Sequence, residues 1–215
     1  MKIFYSIDPE SWSEAQIQQA LKKLPVVHQN RIKKYSNRQK MQQRLCAMQL
    51  FRKAASDADF VKYRLDAGQL TYERSGKPQL NDVLDLSFAY REDFTLLAIT
   101  DRGKIGADVE KHKDIDIEVF KDYFTPREWR WIHELPAVLT RFYDTWTRKE
   151  ALAKALGEGM LMELHSLDVL DDSFYRDGAM WNLKSRNVHN NYYIAVASTD
   201  PDFSDLDIKF HDNER

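Results

Sequence analysis

Asp108 and Glu110 stand two residues apart in Ile105-Gly106-Ala107-Asp108-Val109-Glu110, a run that reads as a β-strand. Side chains alternate along a strand, so Ile105, Ala107 and Val109 face one way. The two carboxylates face the other, beside a glycine that has no side chain. Two acids on one strand face repel unless something positive lies between them. Mg²⁺ or Mn²⁺, hard cations that take oxygen ligands and keep several waters, would meet that need. A solvated acidic face on an edge strand is the plain alternative. Farther along, Trp146, Glu150 and Lys154 recur at intervals of four, which on a helix stacks them along one face. A tryptophan in that stripe predicts a partly buried face, and ionisable groups on such a face need partners. Glu150 meeting Asp108 and Glu110 across a helix–sheet contact would supply a third oxygen ligand. With Lys154 adjacent, the set suits phosphoryl or pyrophosphate chemistry. The alternative is an ordinary Glu-to-Lys surface pair, worth about 0.2–0.5 kcal/mol.

The elements that must position these residues follow from local pattern. Strands are expected over 2–7, 69–74, 83–88, 95–100, 104–110, 166–170, 179–183 and 192–198. Helices are expected from Ser13 to Lys23, Asn37 to Ala55, Asp116 to Tyr123, Pro126 to His133, and Pro136 to about Leu156. In the second helix Met41, Leu45, Met48 and Phe51 form one apolar face; Gly157 and Gly159 end the last. Ser75-Gly76-Lys77-Pro78 reads as a turn, and Asp101-Arg102-Gly103 as a hairpin turn into the acidic strand. Each half of the chain thus pairs a long helix with about three strands. This predicts an α+β fold of two similar halves, 1–102 and 103–215.

Charge is distributed unevenly. Between Ala15 and Ser56 there is no Asp or Glu, while ten Lys and Arg side chains give a local formal charge of +10. Such a patch draws anionic partners: phosphates, an acidic protein, nucleic acid or anionic lipid. The whole chain, with 32 Lys and Arg against 34 Asp and Glu, is not a polycation held on nucleic acid by total charge. The basic segment also lacks interleaved aromatics, which weighs against single-strand binding. One cysteine, Cys46, rules out an intrachain disulfide and fits a reducing compartment. Asp8 and Glu10 interrupt the N-terminus before an apolar run forms, and no run is long enough to span a membrane. A soluble, cytoplasmic protein is expected. The six histidines show no metal-ligand spacing, and no Ser-His-Asp arrangement is evident.

The two acidic blocks resemble the signatures of the 4′-phosphopantetheinyl transferases of the surfactin-synthetase-activating type. These are Gly-x-Asp-x-Glu, here Gly106 to Glu110, and Trp-x-x-Lys-Glu-(Ala/Ser)-x-x-Lys, here Trp146 to Lys154, followed by Gly157-Glu158-Gly159. Gly76-Lys77-Pro78, Phe124-Thr125-x-x-Glu128-Trp129 and Arg31 are secondary matches. The resemblance implies two pseudo-symmetric halves, each a small antiparallel sheet packed on a long helix, with the active site between them. It implies Mg²⁺-dependent transfer (Mn²⁺ as substitute) of the phosphopantetheine arm of coenzyme A to a serine of an apo acyl or peptidyl carrier protein. In this reading Asp108, Glu110 and Glu150 hold the metal. Lys154 lies against the phosphates, and Glu128 is the candidate general base. Arg31, Gly76, Lys77, Pro78 and Ser87 contact or shape the site for coenzyme A, and the enzyme is a monomer.

Two segments depart from the family pattern. Asp85-Leu86-Ser87-Phe88 stands where relatives carry Asn-(Ile/Val)-Ser-His, so Phe88 replaces a phosphate-contacting histidine. Gln43, with Arg44 beside it, stands where an arginine is common, and one residue turns a helical side chain by about 100°. Two alternatives therefore stay open. One is a diverged homologue that binds carrier protein or coenzyme A without efficient transfer. The other is a Mg²⁺-dependent phosphoanhydride hydrolase.

Overall fold

Side chains along the central strands alternate between two apolar clusters, and that alternation sets the layers. In β1 (Lys2–Ile7) Ile3 faces one apolar cluster and Phe4 the other. In β5 (Phe94–Thr100) Phe94, Leu96 and Ala98 join Ile3, while Leu97 and Ile99 join Phe4. Strands buried on both faces need a layer above and a layer below. The computed structural model, which describes residues 1–8, 10–73, 76–80, 82–157, 163–189, 191–203 and 208–210, supplies both.

One sheet runs in the order β10 (Ile208–Phe210), β1, β5, β4 (Asp85–Arg91); the other runs β6 (Ile105–Lys111), β9 (Tyr192–Ser198), β8 (Ala179–Val188), β7 (Ser173–Arg176). Between them lies an apolar layer that includes Ile3, Leu96, Ala107, Val109, Ile194 and Val196. Helices α1 (Glu14–Lys22), α2 (Val26–Ile32) and α3 (Arg38–Ala55) pack on the first half, and α5 (Val138–Leu156) covers the second sheet. The fold is α+β, with a long helix on a small sheet in each half. The edge strands β4 and β6 lie side by side without backbone pairing. Side chains join them: Ser87 Oγ accepts from the Ala107 N–H at 3.0 Å, and Asp85 Oδ2 from the Ile105 N–H at 2.9 Å.

Local chemistry accounts for the helix ends. Ser13 and Gln16 form a reciprocal capping box on α1, and Asn37 caps α3 by accepting from the Lys40 N–H. Thr125 and Glu128 cap α4 (Pro126–Ile132) in the same reciprocal way. Gly157 closes α5 at φ 77°, a left-handed conformation that suits glycine.

Four expectations need correction. Asp101–Gly103 is not a hairpin turn: β5 and β6 belong to different sheets, so the segment carries the chain across the sandwich. No strand forms over 166–170. There the Val169 N–H donates to Glu128 and the Val169 carbonyl accepts from Arg148, so side chains satisfy the backbone that a neighbouring strand would otherwise pair. The strand expected over 69–74 shrinks to β2 (Thr71–Tyr72), paired with β3 (Pro78–Gln79); Arg74 and Ser75 lie outside the described residues. Finally, β10 from the C-terminal end runs parallel to β1, so the first sheet is not purely antiparallel. Helix α2 and the strand β10 were not foreseen. Pro25 stops α1 but also begins α2, as its N-cap.

Candidate active site

Gly106 is where the sequence brings helix and strand together. A Cβ built at Gly106 would lie 2.1 Å from the Ala151 carbonyl oxygen and 2.3 Å from the Ala155 amide nitrogen, both in α5. Only glycine permits that approach. The alternation expected for β6 is present: Ile105, Ala107 and Val109 enter the layer between the sheets. Asp108 is on the α5 side, where its Oδ1 accepts from Lys154 Nζ at 2.6 Å. Its Oδ2 is buried and has no hydrogen-bond partner among the described residues. Glu110 Oε2 lies 2.9 Å from Arg91 Nε.

The three acids feel one another. Burial and the neighbouring Asp108 push the Glu110 carboxyl up to about 7, with Glu150 adding repulsion. Burial, then Asp108, also raises Glu150 above the usual carboxylate range. Burial raises Asp108 too, opposed by Lys154. Among the described residues, however, no three His, Cys, Asp or Glu side chains converge closely enough to chelate a metal as they stand. The donor set still fits a hard divalent cation. It is all oxygen, it carries mutually repelling charges, and it includes one buried carboxylate oxygen without a donor.

Beside these acids opens a cleft of about 660 Å³. The α5 stripe faces it, with Trp146, Glu150 and Lys154 all in its wall. The N-terminal half contributes Gly76, Lys77, Pro78, Ser87 and Phe88. Lys77 Nζ donates to Asp85 Oδ2 at 3.1 Å and to the Ala155 carbonyl at 3.2 Å, spanning the two halves. Asp85, one of the departures noted above, thus supplies a countercharge to Lys77 as well as a tie to β6. Phe88 gives the wall an apolar patch and stacks toward Tyr90.

Other site expectations land elsewhere. Arg31 is not among the cleft-lining residues; its guanidinium sits 3.7 Å above the Tyr72 ring, in the strand that pairs with Pro78. Arg44 lies 3.6 Å over the Tyr90 ring, and Gln43 donates to the Glu92 carbonyl. Glu128 needs correction as the general base. It is fully buried, absent from the cleft lining, and held by Lys149 and two backbone amides. A base must reach the proton it takes, and no face of Glu128 is open. Gly159 lies outside the described residues.

Sequence reasoning passed over Phe120 and Tyr123, which line the cleft together with Phe88 and contact Trp146 edge-on. Their spacing of three in the 3₁₀ segment Ile117–Tyr123, eclipsed in such a helix, was the available signal. It also passed over Lys149, hidden in the motif between its two named partners.

A family model of the 4′-phosphopantetheinyl transferase superfamily matches residues 104–197, the stretch that holds β6, α5 and the acids. The chain is 27% identical over 93 residues to the 4′-phosphopantetheinyl transferase gsp of Aneurinibacillus migulanus, covering 42% of this chain and 39% of that protein. It is 26% identical over 147 residues to the 4′-phosphopantetheinyl transferase Sfp of Bacillus subtilis, covering 66% and 64%. To a further 4′-phosphopantetheinyl transferase of Bacillus subtilis it is 29% identical over 168 residues, covering 73% of each chain. The first two matches thus span 39% and 64% of those relatives' own lengths. Among solved structures, Thermotoga maritima holo-acyl-carrier-protein synthase aligns at a TM-score of 0.36 and 14% identity, over 45% of this chain and 62% of that one. Over the acid-bearing strand and helix the chain is thus similar to the 4′-phosphopantetheinyl transferase superfamily, and the three relatives named carry that same description.

Proposed function

We propose that the protein transfers the 4′-phosphopantetheine arm of coenzyme A to a serine hydroxyl of an apo acyl or peptidyl carrier protein. The observation that carries this reading is the orphaned Oδ2 of Asp108, whose other oxygen pairs with Lys154 in the wall of a cleft that Glu150 also lines. In the reaction the serine oxygen bonds to the phosphorus nearer the pantetheine. The bond from that phosphorus to the bridging oxygen breaks, and adenosine 3′,5′-bisphosphate leaves with the electron pair.

Each side chain then has a task. Asp108, Glu110 and Glu150 would hold Mg²⁺, or Mn²⁺ in its place; when bound, the ion neutralises charge on the pyrophosphate. Lys154 swings from Asp108 onto a phosphate oxygen, one ammonium stabilising the leaving group. Glu150, the acid in the cleft wall, takes the serine proton in place of Glu128. Lys77 and Ser87 face the coenzyme, and Gly76 and Pro78 shape the loop beside it. Arg31, stacked on Tyr72 of the strand that pairs with Pro78, would meet a more distant phosphate.

The basic surface of α1 to α3 suits an acidic carrier. Lys22, Lys23, Lys33, Lys34, Arg38, Lys40, Arg52 and Lys53 are exposed there, and such a face speeds encounter with a partner of opposite charge. Among the described residues no helix is long and apolar enough to cross a membrane. A cytoplasmic monomer fits a single, buried cysteine, Cys46, and the pairing of two halves in one chain.

Phe88 favours a second reading, a coenzyme A- or carrier-binding protein without efficient transfer, because it removes a donor from the wall. One experiment separates the readings. Apo-carrier, coenzyme A and Mg²⁺ are incubated with the protein and the carrier is weighed by mass spectrometry. Gain of one phosphopantetheine is expected. Cleavage of coenzyme A with an unmodified carrier points to the hydrolase, and neither event points to the binding protein.

A further inference from the structure

Helix α5 carries a second carboxylate–ammonium pair, for which the transfer reading has no use. Lys149 and Glu128 are both 0% exposed, with Nζ 2.7 Å from Oε2. Lys149 Nζ also donates to the carbonyl oxygens of Leu164, at 2.9 Å, and of Leu167. Glu128 Oε1 accepts from the Val169 N–H at 3.0 Å, and Oε2 from the Thr125 N–H at 2.8 Å. Two side chains therefore bind the start of α4, the middle of α5 and the segment from 164 to 169 at one point. That segment, which has no strand partner, carries Leu164 into the cleft wall. Lys149 precedes Glu150 in the same helical turn, so fixing one side chain fixes the direction of the next.

Burying two charges is an expensive way to stabilise a fold, since apolar residues of similar volume commonly do as well or better. What apolar residues cannot do is hold named carbonyls and amides at set positions. We propose that Glu128 and Lys149 are positioning residues: their buried pair sets the direction of Glu150 and holds the 164–169 segment, with Leu164, against the cleft. Glu128 moves no proton.

The inference rests on the transferase reading for its kinetic test, but not for its two other tests. The variants are Glu128→Gln, which keeps shape and removes the countercharge, and the double change Glu128→Leu with Lys149→Met. The double change cuts every polar tie while leaving no unpaired charge, so it should fold. Three quantities are measured: amide hydrogen exchange over 163–169, calorimetric Kd for coenzyme A with Mg²⁺, and kcat, KM and the pH profile with apo-carrier.

In the double variant, exchange over 163–169 is expected to rise about 10-fold or more while the core strands stay protected. Kd and KM for coenzyme A should rise about 10-fold, as for other lost supports of a bound geometry, with the acid limb of the pH profile unmoved. Parent-like exchange in the folded double variant overturns the proposal, whether or not transfer is ever detected. So does a Glu128→Gln enzyme with unchanged KM, a collapsed kcat and no acid limb, which would make Glu128 the base. A parent that never modifies a carrier sinks the transferase reading alone, because exchange still decides this one.

Discussion

Two carboxylate–ammonium pairs touch helix α5, five residues apart, and they are built to opposite ends. Glu128–Lys149 is sealed: both partners are fully buried, and both carboxylate oxygens and the ammonium have backbone partners besides each other. Asp108–Lys154 is left incomplete: one carboxylate oxygen has no donor, two further acids crowd it, and the lysine is partly exposed in an open cleft. The same chemical groups serve structure where every valence is met and reactivity where valences are left over. A buried group with nothing to bind costs free energy, and a ligand that supplies the missing partner recovers it.

Four experiments could break or sharpen this contrast. The largest effect belongs to Glu150→Gln. It keeps the volume and removes one acid from the incomplete site, so transfer should fall by about 10³-fold or more while thermal unfolding stays near the parent's. Undiminished turnover would remove the acidic cleft from the chemistry.

Next, the two lysines should differ in stability. Lys149→Met strands a buried carboxylate and should cost about 3–5 kcal/mol in denaturant unfolding. Lys154→Met should cost less, about 1–3 kcal/mol, because Lys154 is partly exposed and burial already favours the neutral form of its partner Asp108. Equal losses would erase the distinction.

Gly106→Ala tests the close approach on which the incomplete site depends. Its methyl meets α5 backbone, which cannot swing aside, so a loss of about 3 kcal/mol is expected. Binding of Mg²⁺ should weaken along with it.

The smallest effect is on pH. Glu110 sits at about 7 in the folded, metal-free protein, above its value in an unfolded chain. Between roughly pH 4.5 and 7 the folded state therefore holds more protons than the unfolded one. Its contribution is fully present at low pH and is lost as pH rises through 7, an effect on the order of 1–2 kcal/mol after allowance for solvent. Mg²⁺ favours the ionised acids, so its thermal shift should be larger at pH 8 than at pH 5.5. A shift that is larger at the acidic end would contradict the repulsion described here.

Much of the fold was legible because local rules dominate it. The capping residues Ser13, Asn37 and Thr125 start their helices where their side chains can reach backbone N–H groups, and Gly157 ends the last. Alternation in β6 put Ile105, Ala107 and Val109 on one face. What misled was always non-local. Asp101–Gly103 has the composition of a hairpin turn, yet the strand it feeds pairs with β9, more than eighty residues later. Leu167 to Leu170 has strand-like residues, but Glu128 and Arg148 claim its backbone first. The three C-terminal residues of β10 are too short a signal to reveal that they pair with β1.

The sequence by itself determined the family signature, the strand face that carries Asp108 and Glu110, and the helical stripe of Trp146, Glu150 and Lys154. The face and the stripe follow from fixed repeat distances of about two and 3.6 residues along a regular backbone, and the signature from a resemblance of motifs. Only the tertiary structure decided which acids are spent and which are spare. Glu128 and Glu150 look alike along the chain, but one is enclosed with a lysine and two amides, and the other borders open space. Partners for a buried charge are recruited across long sequence separations, and no local spacing encodes them.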